Sequence, residues 1–331
     1  MAESATLSRF LERAGWADAR RVVLAGDASA RSYDRLIRSG QSAVLMKAVP
    51  GPEIERFVAL ADWLREAGFS APEILCDGAT DGFLLLEDFG NDLAARVVRD
   101  APSRESEIYA QITNFLLELG RISPPDYLDR LDADALVALI SITPDWYPCL
   151  SQESADRLAT AISDLYSMLA VEDDVLCLRD FHAENIVLLD RPGNRGLGLL
   201  DFQDAVLCHP AYDLVSALQD ARRDVSRSVA EREIARFADQ SGIAPDRFAA
   251  IYSLLGVQRA LRILGIFARL CLRDGKPGYL PLMHRVWANI EHNLTHPALT
   301  QIAQLLRASY PAPSPNLISE LENSCATRPD L

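Results

Sequence analysis

Asp180, Asn185 and Asp201 are the residues whose types and spacing best suit this chain to chemistry. Asp180 lies in Leu178-Arg179-Asp180-Phe181-His182-Ala183-Glu184-Asn185, and Asp201 opens Asp201-Phe202-Gln203 directly after Leu199-Leu200. Each aspartate closes a short apolar run. Moving the γ-phosphoryl group of ATP onto a hydroxyl needs such a set: a carboxylate to accept the hydroxyl proton, and oxygen ligands to hold Mg²⁺ against the phosphates. The pattern assigns Asp180 as the base and Asn185 and Asp201 as metal ligands. Turn-forming Asp and Asn would account for either motif by itself. All three spacings beside β-rich runs favour the catalytic reading, with ATP and Mg²⁺ as cofactors and a small hydroxylated acceptor.

Other residues fit around this set. Gly26-Asp27-Ala28-Ser29-Ala30-Arg31 separates two strand-like runs, and small residues there let backbone N–H groups approach phosphates, which marks Asp27, Ser29 and Arg31 as ATP contacts. Lys47 ends the run Ala43-Val44-Leu45-Met46, and the next lysine is Lys276. A lysine at a strand end can reach the α- and β-phosphates as a point charge. Its carboxylate partner would come from Glu53 or Glu55, of which Glu55 is the expected one; either also suits a helix N-terminus. Glu87 and Phe89 lie in Leu84-Leu85-Leu86-Glu87-Asp88-Phe89-Gly90, which reads equally as an adenine-binding connector or a plain linker. His182 braces the loop of the base. Gln203, Asp204 and the helix-borne Arg259 are candidates for acceptor contact, whereas Asp213 caps or supports the helix that follows it.

These residues need elements to position them. Arg21–Leu24, Tyr33–Ile37, Ala43–Met46, Glu73–Cys76 and Phe83–Leu86 read as strands, with a helix over 52–67 opening on Pro52. The order predicts one small antiparallel sheet with a helix packed on it. Beyond Gly90 the pattern is helical near 104–120, 152–170, 229–240, 246–273, 278–293 and 297–308, and β-like only at Val175–Leu178, Ile186–Leu189 and Leu197–Leu200. The tail from Pro311 is expected to be poorly ordered at its end. The fold class is therefore α+β: a β-rich nucleotide-binding lobe over 1–88, and a larger helical lobe over 89–331 carrying catalysis and acceptor binding.

Composition narrows the partners. Apolar residues make up 49% of the 331 and charged residues 24%, as in a water-soluble globular chain. A net charge of −14 argues against nucleic-acid and anionic-membrane partners, both of which require a basic surface. The six cysteines show no paired CxxC spacing, no export signal is expected, and no uninterrupted apolar run is long enough to span a bilayer. A reduced, cytoplasmic enzyme without an obligate protein partner is the expectation.

With these motifs in view, the chain resembles the aminoglycoside-phosphotransferase and choline-kinase group of protein-kinase-like enzymes. The segments DFQDA and GIFARL–RDGKPGYL look most like the bacterial N-acetylmuramate/N-acetylglucosamine anomeric kinase branch. That resemblance implies a two-lobe protein-kinase-like fold, Asp180 as base, and Asn185 and Asp201 on Mg²⁺. It also implies phosphorylation of the sugar 1-hydroxyl in recycling of peptidoglycan. Two departures stand out: Leu178 where the group usually has His, and Gln203 where many kinases have Gly. The alternative is an aminoglycoside, choline or other small-alcohol kinase on the same fold.

Overall fold

A computed structural model of the chain describes residues 2–24, 31–172 and 174–329, with side chains from Ala5 onward. In chain order the elements begin with α1 (Ala2–Arg13), β1 (Arg20–Leu24), β2 (Ser32–Arg38), β3 (Gln41–Lys47) and α2 (Pro52–Glu66). Next come β4 (Ile74–Gly78), β5 (Phe83–Glu87), α3 (Ala94–Asp100), α4 (Glu105–Leu119), α5 (Ala133–Ile140), α6 (Ile142–Trp146) and α7 (Gln152–Leu169). Four short strands follow: β6 (Val175–Cys177), β7 (Ile186–Leu188), β8 (Leu197–Leu199) and β9 (Val206–Cys208). The chain closes with α8 (Ala211–Leu218), α9 (Arg227–Ser241), α10 (Pro245–Leu272), α11 (Met283–Asn293), α12 (Thr300–Ser309) and α13 (Pro315–Asn323). Two compact units result, Met1–Arg104 with Ala183–Asp204, and Glu105–His182 with Ala205–Leu331.

The first unit holds a five-stranded antiparallel sheet in the order β1-β2-β3-β5-β4, as the strand–strand–strand–helix–strand–strand pattern predicts. Its register starts at the β2–β3 turn. Ser39 and Gly40 both adopt positive φ (47° and 80°), the two-residue turn that matches the right-handed twist of flanking strands. Arg38 therefore faces Gln41, Asp34 faces Leu45 and Ser32 faces Lys47. The period of two puts Leu36, Ala43, Leu45, Phe83 and Leu85 into one cluster, closed by Phe10 and Leu11 of α1. Helix α1 has no counterpart among the elements expected from the sequence. Helix α2 starts on Pro52 and buries Ile54, Phe57, Leu60, Ala61 and Leu64, a 3.6-residue stripe.

The second unit is organised on α10, whose buried residues run from Phe248 to Leu272. Among the described residues it is the one helix long and apolar enough to cross a membrane, and 83% of its apolar window is buried in protein. Gly265 lets α6 approach: a Cβ there would lie 2.9 Å from the Thr143 Cα, and the Thr143 hydroxyl donates to the Leu261 carbonyl at 2.9 Å. The tail is more structured than expected, because α13 buries Leu321 and residues 326 and 328 donate backbone N–H groups to the Cys271 and Leu272 carbonyls. Helices α3, α5 and α6 are short, and the sequence pattern alone did not mark them, whereas α8 is the helix expected at Asp213 and begins two residues before it.

Candidate active site

In the first unit, the two expected metal ligands leave the same end of one hairpin. β7 and β8 pair with Ile186 opposite Leu199, and the Leu200 N–H donates to the Asn185 carbonyl at 2.9 Å. Asn185 precedes β7 and Asp201 follows β8, so the β-ladder itself brings them to one edge. Asp201 adopts φ 56°, an uncommon conformation for a non-glycine residue, and its side chain is 43% exposed. Its Oδ1 accepts from the Arg31 guanidinium at 2.6 Å and from Gln203 Nε2 at 3.0 Å. Phe202 is buried and stacks on Phe57 of α2 with ring centroids 4.8 Å apart, which fixes the following turn.

The chemistry of this donor set fits Mg²⁺. Asp201 and Asn185 offer hard oxygens, and Asp201 already attracts a cationic group in Arg31. Among the described residues no group of three or more His, Cys, Asp and Glu could hold an ion. Asp201 and Asn185 would hold a magnesium ion here, and it would supply positive charge against the phosphates of ATP.

The nucleotide-side residues fall differently from the sequence expectation. Asp27 and Ser29 lie outside the described residues. Lys47 pairs with neither Glu53 nor Glu55: its Nζ donates to Asp34 Oδ2 at 2.9 Å, across the β2–β3 ladder. The register explains the correction, because Asp34 stands opposite Leu45, on the same face as Lys47 and one diagonal step away. Glu53 is instead 3.3 Å from Arg31 Nε. Glu87 forms an ion pair with Arg191, and its N–H donates to the Glu73 carbonyl at 2.8 Å. Phe89 lies under the Arg191 guanidinium at 5.4 Å and against Gly198, where a Cβ would meet its ring at 2.7 Å. Asp88, which sequence reasoning passed over, is the buried anchor of the connector: Arg35 of β2 reaches it at 2.7 Å and also donates to the Gly90 carbonyl at 2.9 Å.

In the second unit, β6 delivers the loop of Asp180, and the loop backbone is pinned from several sides. The Leu178 and Arg179 N–H groups donate to the two carboxylate oxygens of Asp213 at 2.5 and 2.9 Å. Arg179 has φ 69°, and its carbonyl accepts from Arg259 Nη1 at 2.8 Å and the Ser216 hydroxyl at 3.1 Å. Phe181 is buried against Phe115 of α4 at 5.2 Å. A left-handed non-glycine residue costs on the order of 1–2 kcal/mol, so these bonds over-determine a conformation the chain would otherwise leave. Asp213, expected to cap or support the helix after it, lies within the first turn of α8 and spends its carboxylate on the loop of Asp180. Arg259, expected among acceptor contacts, is buried and committed to protein atoms: Arg179, Ser216 Oγ at 2.8 Å, and the Tyr212 ring at 5.2 Å.

Electrostatics keep Asp180 ionised. Burial pushes its carboxyl up, but Arg259, Arg262, His182 and Arg179 together hold it below the ordinary carboxylate range. Burial likewise lowers His182, which is then neutral near pH 7 and suits bracing more than carrying charge. Asp213 is pushed up to about 7 by burial, against the pull of the Leu178 and Arg179 N–H groups and Arg259. Arg262 is a residue that sequence reasoning missed. Its spacing from Arg259 on a helix was the available signal, since residues three apart share a face.

Residues 21–251, which include both aspartate loops, match the phosphotransferase enzyme family. The chain belongs to it. It is 35% identical to a Caulobacter vibrioides protein named N-acetylmuramate/N-acetylglucosamine kinase, over 90% of this chain and 94% of that one. A Pseudomonas aeruginosa protein of the same name is 32% identical over 90% and 91%. Among solved structures, the ADP-bound aminoglycoside phosphotransferase APH(2'')-Ib superposes with a TM-score of 0.59 over 91% of this chain and 98% of that one, at 15% identity. That likeness establishes a protein-kinase-like fold, and the protein is a kinase.

Proposed function

We propose that this protein uses Mg·ATP to phosphorylate the anomeric hydroxyl of N-acetylmuramate and N-acetylglucosamine. The relatives' names support the substrate class, and one observation favours it over the cationic acceptors of the wider family. Three guanidiniums, Arg259, Arg262 and Arg179, act on Asp180 and outweigh the carboxylate of Asp213 beside it. Such surroundings repel an aminoglycoside or choline and tolerate a neutral sugar or one carrying a lactyl carboxylate.

In this reading Asp180 accepts the proton of the anomeric hydroxyl as its oxygen bonds to the γ-phosphorus and the bond to the β-bridging oxygen breaks, releasing ADP. The anomeric hydroxyl is more acidic than an ordinary alcohol, so a base of low proton affinity suffices. Asp201 and Asn185 would hold Mg²⁺, which when bound neutralises charge on the phosphate oxygens. Arg31 serves the phosphates, as do Asp27 and Ser29; Gln203 orients Asp201, and Asp204, exposed and hydrogen-bonded by Gln203, contacts the acceptor. The functional division into a nucleotide lobe over 1–88 and a catalytic lobe over 89–331 belongs to the same reading. So do a cytoplasmic location, where ATP is available, and a place in recycling cell-wall sugars.

The test is ATP consumption by purified protein with Mg²⁺ and N-acetylmuramate, N-acetylglucosamine, glucose, choline or kanamycin, followed by ³¹P NMR. A phosphate resonance split by the sugar C1 proton is expected with the N-acetyl sugars. Turnover confined to choline or kanamycin would overturn the sugar assignment.

A further inference from the structure

Phosphoryl-transfer sites of the kinase kind rely on a cation that is anchored by a carboxylate on the helix beside the sheet and that reaches the phosphates of ATP. The strand-end lysine of this chain does not meet that description. Lys47 is held by the nearly buried Asp34 at 2.9 Å, and both residues lie on neighbouring strands of one ladder. Such a pair ties β2 to β3 inside the sheet and leaves the acids of α2 to other partners.

Arg31 meets both requirements. It directly precedes β2, its side chain is only 7% exposed, and its Nε lies 3.3 Å from Glu53 in the first turn of α2. Its Nη2 is 2.6 Å from Oδ1 of Asp201. A guanidinium is permanently charged and presents a planar fork of donors that matches phosphate oxygens, so it can grip a diphosphate as well as an ammonium can. We propose that Arg31, rather than Lys47, is the phosphate-binding cation of this protein, and that it holds Asp201 in place until the metal takes that oxygen. This assignment rests on the kinase reading above and names the residue that serves its nucleotide.

The arrangement implies competition. Oδ1 of Asp201 accepts from Arg31 and Gln203 Nε2, so a metal ion on this carboxylate brings a second cation against the guanidinium and competes with it for the same charge. Released from Asp201 while still tethered to Glu53, Arg31 is then available to the phosphates. Removing Arg31 should therefore move two affinities in opposite directions, whereas loss of a merely structural residue would weaken both.

Two measurements read this without turnover: Mn²⁺ binding by electron paramagnetic resonance in the absence of nucleotide, and ADP binding by calorimetry. For Arg31→Gln we expect Mn²⁺ bound several-fold more tightly and ADP about tenfold more weakly than in the wild type. Glu53→Gln should weaken ADP a few-fold without tightening Mn²⁺, and it carries the test if Arg31→Gln fails to fold. Lys47→Gln should shift ADP affinity by less than about twofold. An equal or larger loss of ADP binding in Lys47→Gln, weaker Mn²⁺ binding in Arg31→Gln, or unchanged ADP binding in Glu53→Gln would overturn the assignment while leaving the kinase reading intact. A wild-type protein that binds neither Mn²⁺ nor ADP would overturn both.

Discussion

Asp201, the proposed metal ligand, and Asp180, the proposed base, are each held within their own unit and in opposite ways. Asp201 is itself in a left-handed conformation, half-exposed, and its carboxylate is met by side chains, Arg31 and Gln203, that can let go. At Asp180 the left-handed residue is the preceding Arg179, and the loop is fixed through its backbone by Asp213, Arg259 and Ser216. The proposed tasks account for the difference. A metal ligand must exchange partners in each turnover, so its contacts are replaceable ion pairs. A base must meet the acceptor in one geometry, because effective molarity is lost with small displacements, so its contacts are buried and redundant.

Substituting each aspartate should separate the two roles most sharply. Asp180→Asn removes the proton acceptor and should lower kcat by roughly 10²–10⁴ while leaving ADP affinity nearly unchanged. Asp201→Ala should abolish the Mg²⁺ dependence of nucleotide binding. Calorimetry with and without Mg²⁺, beside steady-state rates, checks both; near-normal turnover by Asp180→Asn would remove it from the role of base.

The anchor of the rigid loop comes next. Asp213 accepts two backbone N–H groups in its ionised form, and burial raises its pKa to about 7. As pH falls through about 7 the carboxyl gains a proton and loses acceptor capacity, so kcat should decline there, well above the range in which Asp180 titrates. Stability has the other sign. A folded-state pKa raised above the unfolded value gives a contribution that is full below the unfolded carboxylate range and lost as pH rises through about 7. Asp213→Asn should lower kcat by about tenfold or more and abolish the decline near neutrality, which a pH–rate profile of the two proteins would reveal.

A smaller effect is expected at Arg259. Arg259→Gln removes a cation that lowers the Asp180 carboxyl, so the acid limb set by Asp180 should move to higher pH, with kcat lower by several-fold at neutrality. A substituent that only contacted the acceptor would change KM for the sugar and leave that limb where it was.

How far all this was legible in the sequence also divides by region. The strand order, the sheet and α2 follow from local signals: alternation, Ser39-Gly40 with its positive φ values, and Pro52 at a helix start. The aspartate motifs were legible because their spacing is fixed by one hairpin and one loop. The partner of Lys47 was within reach too, since counting outward from Ser39-Gly40 sets Ser32 opposite Lys47 and Asp34 one step diagonal. No local pattern distinguishes Glu53 from Glu55, because both sit in the first turn of α2 and the choice depends on where Arg31 lies. The commitment of Arg259 was equally hidden, as its partners Arg179 and Ser216 come from distant segments brought together by α8 and α10. Asp88 was passed over because the glycine-ended connector drew attention to backbone groups, while the clamp is a buried Arg35 ion pair.

The smallest effect tests whether the metal-side hairpin tolerates displacement, as the comparison requires. Gly198 lies in the middle of β8, opposite Val187, and a Cβ there would fall 2.7 Å from the Phe89 ring, which Arg191 covers from 5.4 Å. The obstacle is an aromatic ring rather than a flexible chain end, so Gly198→Ala must shift the ring or the strand at a cost of about 1–3 kcal/mol. Thermal unfolding should register that loss. Because Asp201 is held by replaceable partners, Mg·ADP affinity should fall by no more than a few-fold. A loss of Mg·ADP binding comparable to that of Asp201→Ala would mean that the hairpin is as tightly positioned as the loop of the base, and that the two aspartates are held alike.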